Sequence, residues 1–343
     1  MHNTSTPRDY GFYMPAEWHP KQRTFMEWPQ RIQAWPDGLD AAKQAYAMVA
    51  NKISEFEPLT MLVTQDAEHE IRKMCSSGIT TIVMEHDDSW MRDNGPTFVI
   101  NDHHEIAGIS WQFNAWGEKY IPYNNDNNVA NALLDNLKTR TFNADIILEG
   151  GAIHVDGQGT LITTKECVLN KNRNKNITTG QLENIFAEYL GIKKVIWLEY
   201  GLYGDETDGH VDNVACFTRP GQIIIQGTAD KSDPNYSRYI SNVNTLRNST
   251  DANGNKIEIL TLEQPPLRMY KNERLTLSYI NYYLVNGGLI LPVFGGDATQ
   301  SDNNAIGILQ DLFPNRVIVP VDGQEIIKGG GNIHCITQQM PKP

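Results

Sequence analysis

The segment EGGAIHVDGQGTLITT, residues 149–164, sets two β-rich runs on either side of a Gly-rich turn, the pattern of a hairpin. TTGQLENIFAEYLG follows, with Leu182, Ile185, Phe186 and Tyr189 at helical spacing, Thr178 as N-cap and Gly191 as terminator. KKVIWL then reads as a short buried strand, so the local order is β-β-α-β. That order recurs. HVDNVACFTRPGQIIIQG is a hairpin with a Pro-Gly corner, DPNYSRYISNVNTLR a helix opened by Asp233 and Pro234, and KIEILTL the next strand. SYINYYLVNGGLILPVFG, a helix through Ile306, Leu309 and Phe313, and RVIVPV make another copy. DNGPTFVINDHHEIAGISW with a helix at NVANALLDNL makes a fourth. The fifth is split between the two ends of the sequence. NIHCITQ is expected to pair with TFMEWP, followed by a helix over 40–56 and the strand LTMLVT. A helix near 66–74 and the strand TTIVMEH form an insertion or the end of that unit.

One such unit cannot bury its sheet faces alone, so the five are expected to close on one another. The expected fold class is α/β: a five-bladed α/β propeller of pseudo-fivefold ββαβ units around a central active site. Residues 1–343 then form a single catalytic domain whose N- and C-terminal segments complete one blade. The alternative is an ordinary α/β sandwich in two domains.

Polar residues of unusual type fall at matching places in these units. Each first strand is expected to begin with a cluster: Asp93 in WMRDNGP, Glu149 and His154 in EGGAIH, His210 and Asp212 in DGHVDN, Asn281 in SYINYY, Cys335 in GGGNIHC. Closure of the units would bring them to one acidic pocket holding one cysteine, with neighbouring glycines letting backbone approach closely. Taken singly, each has a plainer reading. Cys335 alone reads as a buried thiol, and Cys75, Cys167 and Cys216 are read as core thiols. His210-x-Asp212 on a strand points two side chains to one face, suiting a base and its orienter or an ordinary hydrogen-bonded pair. Asp93 beside Arg92 could be an ion pair, and Glu149 a turn cap. His154 and His334 are read as satisfied strand histidines. The joint pattern outweighs these, because independent structural residues need not occupy equivalent positions.

Two carboxylates can take the five N–H donors of a planar guanidinium in bidentate fashion, leaving its carbon fixed beside a sulfur. The bound cation would lower the thiol's pKa, and a histidine could take or lend a proton. The formal charge of -12 and pI of about 5.2 exclude a phosphate-binding face, hence nucleic acid or an anionic membrane as partner. No run approaches the ~20 apolar residues of a membrane span. The first residues lack the apolar stretch of a signal peptide, and the four cysteines are widely spaced. A reduced, cytoplasmic protein is expected, in which the sequons at Asn3, Asn176 and Asn248 carry no meaning. This composition leaves room for a homo-oligomer.

At these residues the chain resembles the agmatine deiminases, within the wider guanidine-modifying superfamily of five-bladed α/β propellers. The likeness spans MPAEW and EWP, DDSWMRDNGPTF, FNAWG, LEGGAIHVDGQGT, LNKNRN, GLYGDETDGHVDN and GGGNIHCITQQ. The bacterial peptidyl-arginine deiminases are similar at WMRD, HVD and the terminal Cys. The resemblance implies Cys335 as nucleophile, His210 as general acid/base, and Glu149 orienting and polarising His210. It implies that Asp93 and Asp212 grip the guanidinium and that Trp90 flanks the alkyl chain, though a core indole is an equally ordinary reading of Trp90. Asn281 completes the substrate-binding set. Glu206 and Asp208 are the candidates for agmatine's terminal ammonium. GDETDGH is one residue shorter here than the plant pattern GDEDTNGH, which leaves the choice between the two acids open. The implied reaction yields N-carbamoylputrescine and ammonia, on the route to putrescine, with no cofactor and no metal.

Three other readings stay on the page. Arginine or peptidyl-arginine could be the substrate, but no Arg is dedicated to a carboxylate at the far end of the pocket. A metal hydrolase could use His210, Asp212, Glu149 and His154, although no HExxH or HxH occurs. A non-catalytic guanidine- or polyamine-binding protein would have no need of Cys335.

Overall fold

The computed structural model describes residues 5–343; Met1–Thr4, and with them the Asn3 sequon, lie outside the described residues. Within it the chain builds a mixed α/β fold around five small sheets of one connectivity. Thr97–Ile100, Ile106–Gln112 and Arg140–Ile147 form one sheet; Ile153–Val155, Thr160–Thr164 and Lys194–Leu198 form the next. Ala215–Arg219, Gln222–Gly227 and Glu258–Glu263 follow, then Tyr283–Val285, Gly288–Val293 and Val317–Asp322. In every case the first two strands are antiparallel and the second and third parallel. A parallel pair needs a crossover, and a helix supplies it each time: Asp126–Leu137, Thr179–Leu190, Pro234–Arg247 and Thr299–Leu312.

Local chemistry explains these boundaries. The Thr178 hydroxyl accepts from the Gln181 amide while the Gln181 side chain takes the Thr178 amide, and Gly191 ends the helix at φ 71°. The Asp233 carboxylate accepts from the Asn235 amide ahead of Pro234. Gly221 turns the Pro-Gly corner at φ 75°, a conformation that side chains resist. The middle strands Gln222–Gly227 and Gly288–Val293 carry unbroken apolar runs, Ile223 to Ile225 and Leu289 to Leu291, because they are covered on both faces.

The remaining sheet joins the two ends of the chain. Gln338–Pro341 runs antiparallel to Lys21–Glu27, with Phe25 opposite Gln338 and Thr24 opposite Gln339. Lys21–Glu27 is in turn parallel to Leu59–Val63, after the helix Leu39–Ser54. The helix Glu68–Met74 and strand Thr80–Val83 add a fourth strand to this sheet, parallel to Leu59–Val63. The pairing segment is therefore Gln338–Pro341, later than the expected NIHCITQ. Residues 333–336 are a turn, since Asn332 accepts from the Ile336 amide and His334 from the Thr337 amide, leaving no donors for a ladder. No helix among the described residues is long and apolar enough to cross a membrane.

Deleting residues 338–343 keeps Cys335 but removes the strand that Lys21–Glu27 pairs with. The thermal midpoint is expected to fall by roughly 5 °C or more. A melting curve superimposable on the full chain's would show that this pairing is energetically idle.

Candidate active site

The polar residues do not lie on the first strands themselves. They sit in the tight turns just ahead of them. Asp93 lies in the single turn Met91–Asn94, Glu149 caps the short turn Gly150–Ala152, and His210 caps Val211–Asn213, which contains Asp212. Asn281 precedes Tyr283–Val285, and Cys335 occupies the turn ahead of Gln338–Pro341. His210 and Asp212 thus share a turn and not a strand face. All of these side chains are at least nine-tenths buried, and they meet.

Asp93 is held at both oxygens: Oδ2 accepts from the Trp116 indole at 2.9 Å and Oδ1 from the Gly151 amide at 3.0 Å. Oδ1 also lies 3.8 Å from His210 Nδ1. On the other side of the ring, Nε2 faces Glu149 at 3.8 Å. Neither ring nitrogen is hydrogen-bonded, and Asp212 Oδ1 likewise has no protein partner. The space between these groups exists because residue 151 is glycine. A Cβ there would stand 2.6 Å from His210 Nδ1 and 2.9 Å from carboxylate oxygens of both Asp93 and Asp212.

Cys335 Sγ lies 3.5 Å from Asp212 Oδ2 and receives the Asn281 side-chain amide at 3.2 Å. Asn281 also donates to Asn213 and accepts from the His334 amide, so its polar atoms support the thiol's turn. The pocket is walled by Trp90, Trp116 and Tyr120, with Asp93 and Cys335 among its lining and Glu206 reaching it as well. Trp90 stacks on Trp35, ring centroids 5.5 Å apart at 19°. A wider cleft outside shares Tyr120, Glu206, Gly329 and Gly330 with it and gives the way in.

The two candidate acids of GDETDGH part company here. Glu206 accepts from the Tyr120 hydroxyl inside the pocket. Asp208 instead takes Arg173 Nη1 at 2.5 Å, the Asn172 amide at 2.9 Å and Lys119 Nζ at 2.9 Å, and does not line the pocket. Arg173 also donates from Nε to Glu149 at 2.6 Å. This arginine, Trp116 and Glu17 reach the site from loops that the repeat pattern does not register; their only signal is their place in LNKNRN, FNAWG and MPAEW. Trp116 comes from a run of left-handed backbone, Ala115 to Glu118, in which every φ lies between 51° and 96°. Arg92, read as a partner of Asp93, lies 3.5 Å from Glu17 and receives no contact from its neighbour; its amide donates to the Cys335 carbonyl.

The electrostatics favour a cation among these carboxylates. Burial raises the Cys335 thiol well above its ordinary pKa, and Asp212 and Asp93 push the same way. Burial opposes a charge on His210, but Asp93, Cys167 and Glu149 outweigh it and hold the ring protonated well above its usual range. Burial, with Asp212 and Glu149 nearby, raises Asp93 to about 6 even though His210 opposes it. Burial works against Glu149 as well, yet Arg173 and His210 bring it down to about 2. A cation placed between Asp93 and Asp212 offsets their push on the thiol and favours the thiolate.

Cys167, read as a core thiol, is buried against His210. Ligand atoms of Glu149, Cys167 and His210 lie within 4.8 Å of one another, but the Arg173 guanidinium on Glu149 opposes a metal cation there. The set His210, Asp212, Glu149 and His154 does not gather, because His154 Nε2 faces Glu17 at 3.8 Å.

The family model for Porphyromonas-type peptidyl-arginine deiminases matches residues 13–341. The chain is 43% identical to an agmatine deiminase of Pseudomonas aeruginosa, over 99% of this chain and 98% of that protein. It superposes on the agmatine deiminase of Enterococcus faecalis with a TM-score of 0.95 at 37% identity, covering 98% of each chain. A C. jejuni agmatine deiminase with one cysteine changed to serine, solved with substrate bound, gives 0.86 at 26% identity over 96% of each chain.

Removing one partner of the buried Glu149–Arg173 pair strands the other. Arg173→Ala is expected to lower the unfolding free energy at pH 7 by about 3–5 kcal/mol. Because Glu149 titrates lower in the folded chain than unfolded, this difference is complete above about pH 4.5 and shrinks as pH falls towards 2. Urea unfolding at pH 7 and pH 3 measures both; equal midpoints at pH 7 would contradict the assignment.

Proposed function

This chain belongs to the Porphyromonas-type peptidyl-arginine deiminase family, and we propose that it is an agmatine deiminase, hydrolysing agmatine to N-carbamoylputrescine and ammonia. The observation that carries this reading is the placing of acids at both ends of one narrow pocket. Asp93 lies by the thiol and Glu206 towards the mouth, a match for a guanidinium and an ammonium joined by an apolar chain. Trp90 and Trp116 supply walls for that chain. A carboxylate-bearing substrate such as arginine would meet Glu206 as a like charge.

In this mechanism Asp93 and Asp212 receive the guanidinium N–H groups, and the incoming charge drives the Cys335 proton out to solvent. The Asn281 amide steadies the thiolate. Sulfur attacks the guanidinium carbon, forming a C–S bond and a tetrahedral adduct. His210 Nδ1 gives its proton to the terminal nitrogen, the C–N bond breaks, and ammonia leaves a covalent S-alkylthiouronium. Water then attacks the same carbon, giving one proton to the now neutral His210, and the C–S bond breaks as the remaining hydroxyl proton passes to the departing sulfur, leaving the carbamoyl C=O and returning the thiol. Glu149, fixed by Arg173, keeps Nε2 on its own side so that Nδ1 faces the reacting centre. Glu206 takes the ammonium, and Asp208 does not.

We read the five sheets as the blades of one α/β propeller whose axis passes through the pocket, and residues 1–343 as one catalytic domain. Convergence of a turn from each sheet supports this. The widely spaced free thiols fit the cytoplasm.

Turnover of agmatine, arginine and a peptide ending in arginine should rank agmatine first, and Cys335→Ala should abolish it. Preference for the peptide would move the chain to the family's other activity; activity surviving in Cys335→Ala would remove the covalent route. The acidic limb of kcat/KM should fall about tenfold per pH unit below about 6, as Asp93 protonates and loses its grip. A profile flat to pH 5 would dismiss Asp93 as the titrating group.

A further inference from the structure

Behind the pocket lies a second buried charged group that the mechanism leaves unused. His334, next to the nucleophile, has both ring nitrogens against carboxylates: Nε2 is 2.7 Å from Glu17 Oε1 and Nδ1 is 3.0 Å from Asp212 Oδ2. Glu17, His334 and Asp212 are each 5% exposed or less. An ionised carboxylate only accepts hydrogen bonds, so a ring lying between two of them must donate from both nitrogens. We propose that His334 is a standing imidazolium and a positioning residue, which keeps Asp212 ionised and aims its free oxygen at the substrate's guanidinium.

The charges around it balance. Arg92 lies 3.5 Å from Glu17 and donates from Nε to the His334 carbonyl, so two cations face two anions, as a buried cluster requires. Two further titratable groups face Glu17: His154 is brought down to about 4 by burial and is neutral, and Lys21, whose Nζ donates to the Glu17 carbonyl, is lowered to about 8 by burial and is also drawn to Glu57. The Cys335 sulfur faces the same Asp212 oxygen that His334 holds. With Oδ2 engaged, Oδ1 is left buried without a protein partner, and a guanidinium N–H can take it. Burial would raise Asp212, but the bond and charge of His334 and the charge of His210 bring it below its ordinary value. Asp93 has no such imidazolium bonded to it and sits at about 6. The two arms of the grip are therefore unequal: Asp93 titrates near neutrality, whereas Asp212 stays charged.

The ring's charge is read directly by 15N NMR of the histidine-labelled, substrate-free enzyme. Both His334 nitrogens should show protonated shifts at pH 7, above the ordinary histidine pKa of about 6.5. A neutral tautomer at pH 7 would overturn the proposal, and this measurement does not depend on the agmatine reading, whereas the positioning role rests on it. Glu17→Gln removes one acceptor and leaves the ring in place. It should bring the His334 titration down towards the ordinary histidine range and raise KM for agmatine about tenfold on the alkaline side, with kcat within about threefold of wild type. A folded Glu17→Gln enzyme with the wild-type KM and pH profile would refute the positioning role.

Discussion

Three carboxylates, Asp93, Glu149 and Asp212, are buried around one thiol, and the rest of the site is built to make that tolerable. Unpaired charge in an interior costs several kcal/mol per ion. Each acid is therefore given its own compensation. Glu149 has Arg173, Asp212 has His334, and Asp93 has only an indole N–H, a backbone N–H and the neighbouring His210. The incomplete case is informative. Asp93 is the acid whose charge the protein's own groups balance least, so a cation is drawn to it.

The same logic explains the thiol and the imidazole. The carboxylates favour a protonated Cys335 and a charged His210, so the thiol lacks its nucleophilic form while the imidazole holds the proton that the proposed mechanism has it donate. Under the proposed mechanism a substrate that brings a positive charge moves the thiol towards the thiolate. Selectivity and activation then come from one electrostatic event, and a neutral molecule of similar shape would leave the nucleophile dormant.

Much of this was legible in the sequence. The helices ended where Thr178, Asp233 and Gly191 said they would, because caps act locally. The recurrence of β-β-α-β predicted five like sheets, and the placing of Asp93, Glu149, His210, Asp212 and Cys335 at equivalent points predicted their meeting. Strand periodicity misplaced these residues by a few positions, since a one-turn helix of three or four residues leaves no period to detect. Arg173, Trp116 and Glu17 were invisible to it, because each arrives from an irregular loop and its relevance lies in distance through space. Glu206 and Asp208 are two residues apart, and only the orientation of the loop sends one into the pocket and the other to Arg173.

The strand Gln338–Pro341 pairs with Lys21–Glu27 across more than three hundred residues of chain. Closing a loop of that length costs about 5 kcal/mol of chain entropy before any contact repays it. Such a pairing belongs late in folding, and until then Lys21–Glu27 keeps one edge without its ladder partner. The turn carrying Cys335 is docked through this same segment. A partly folded chain consequently holds its acids and histidine without a placed sulfur, and chemical competence appears together with the last long-range contact.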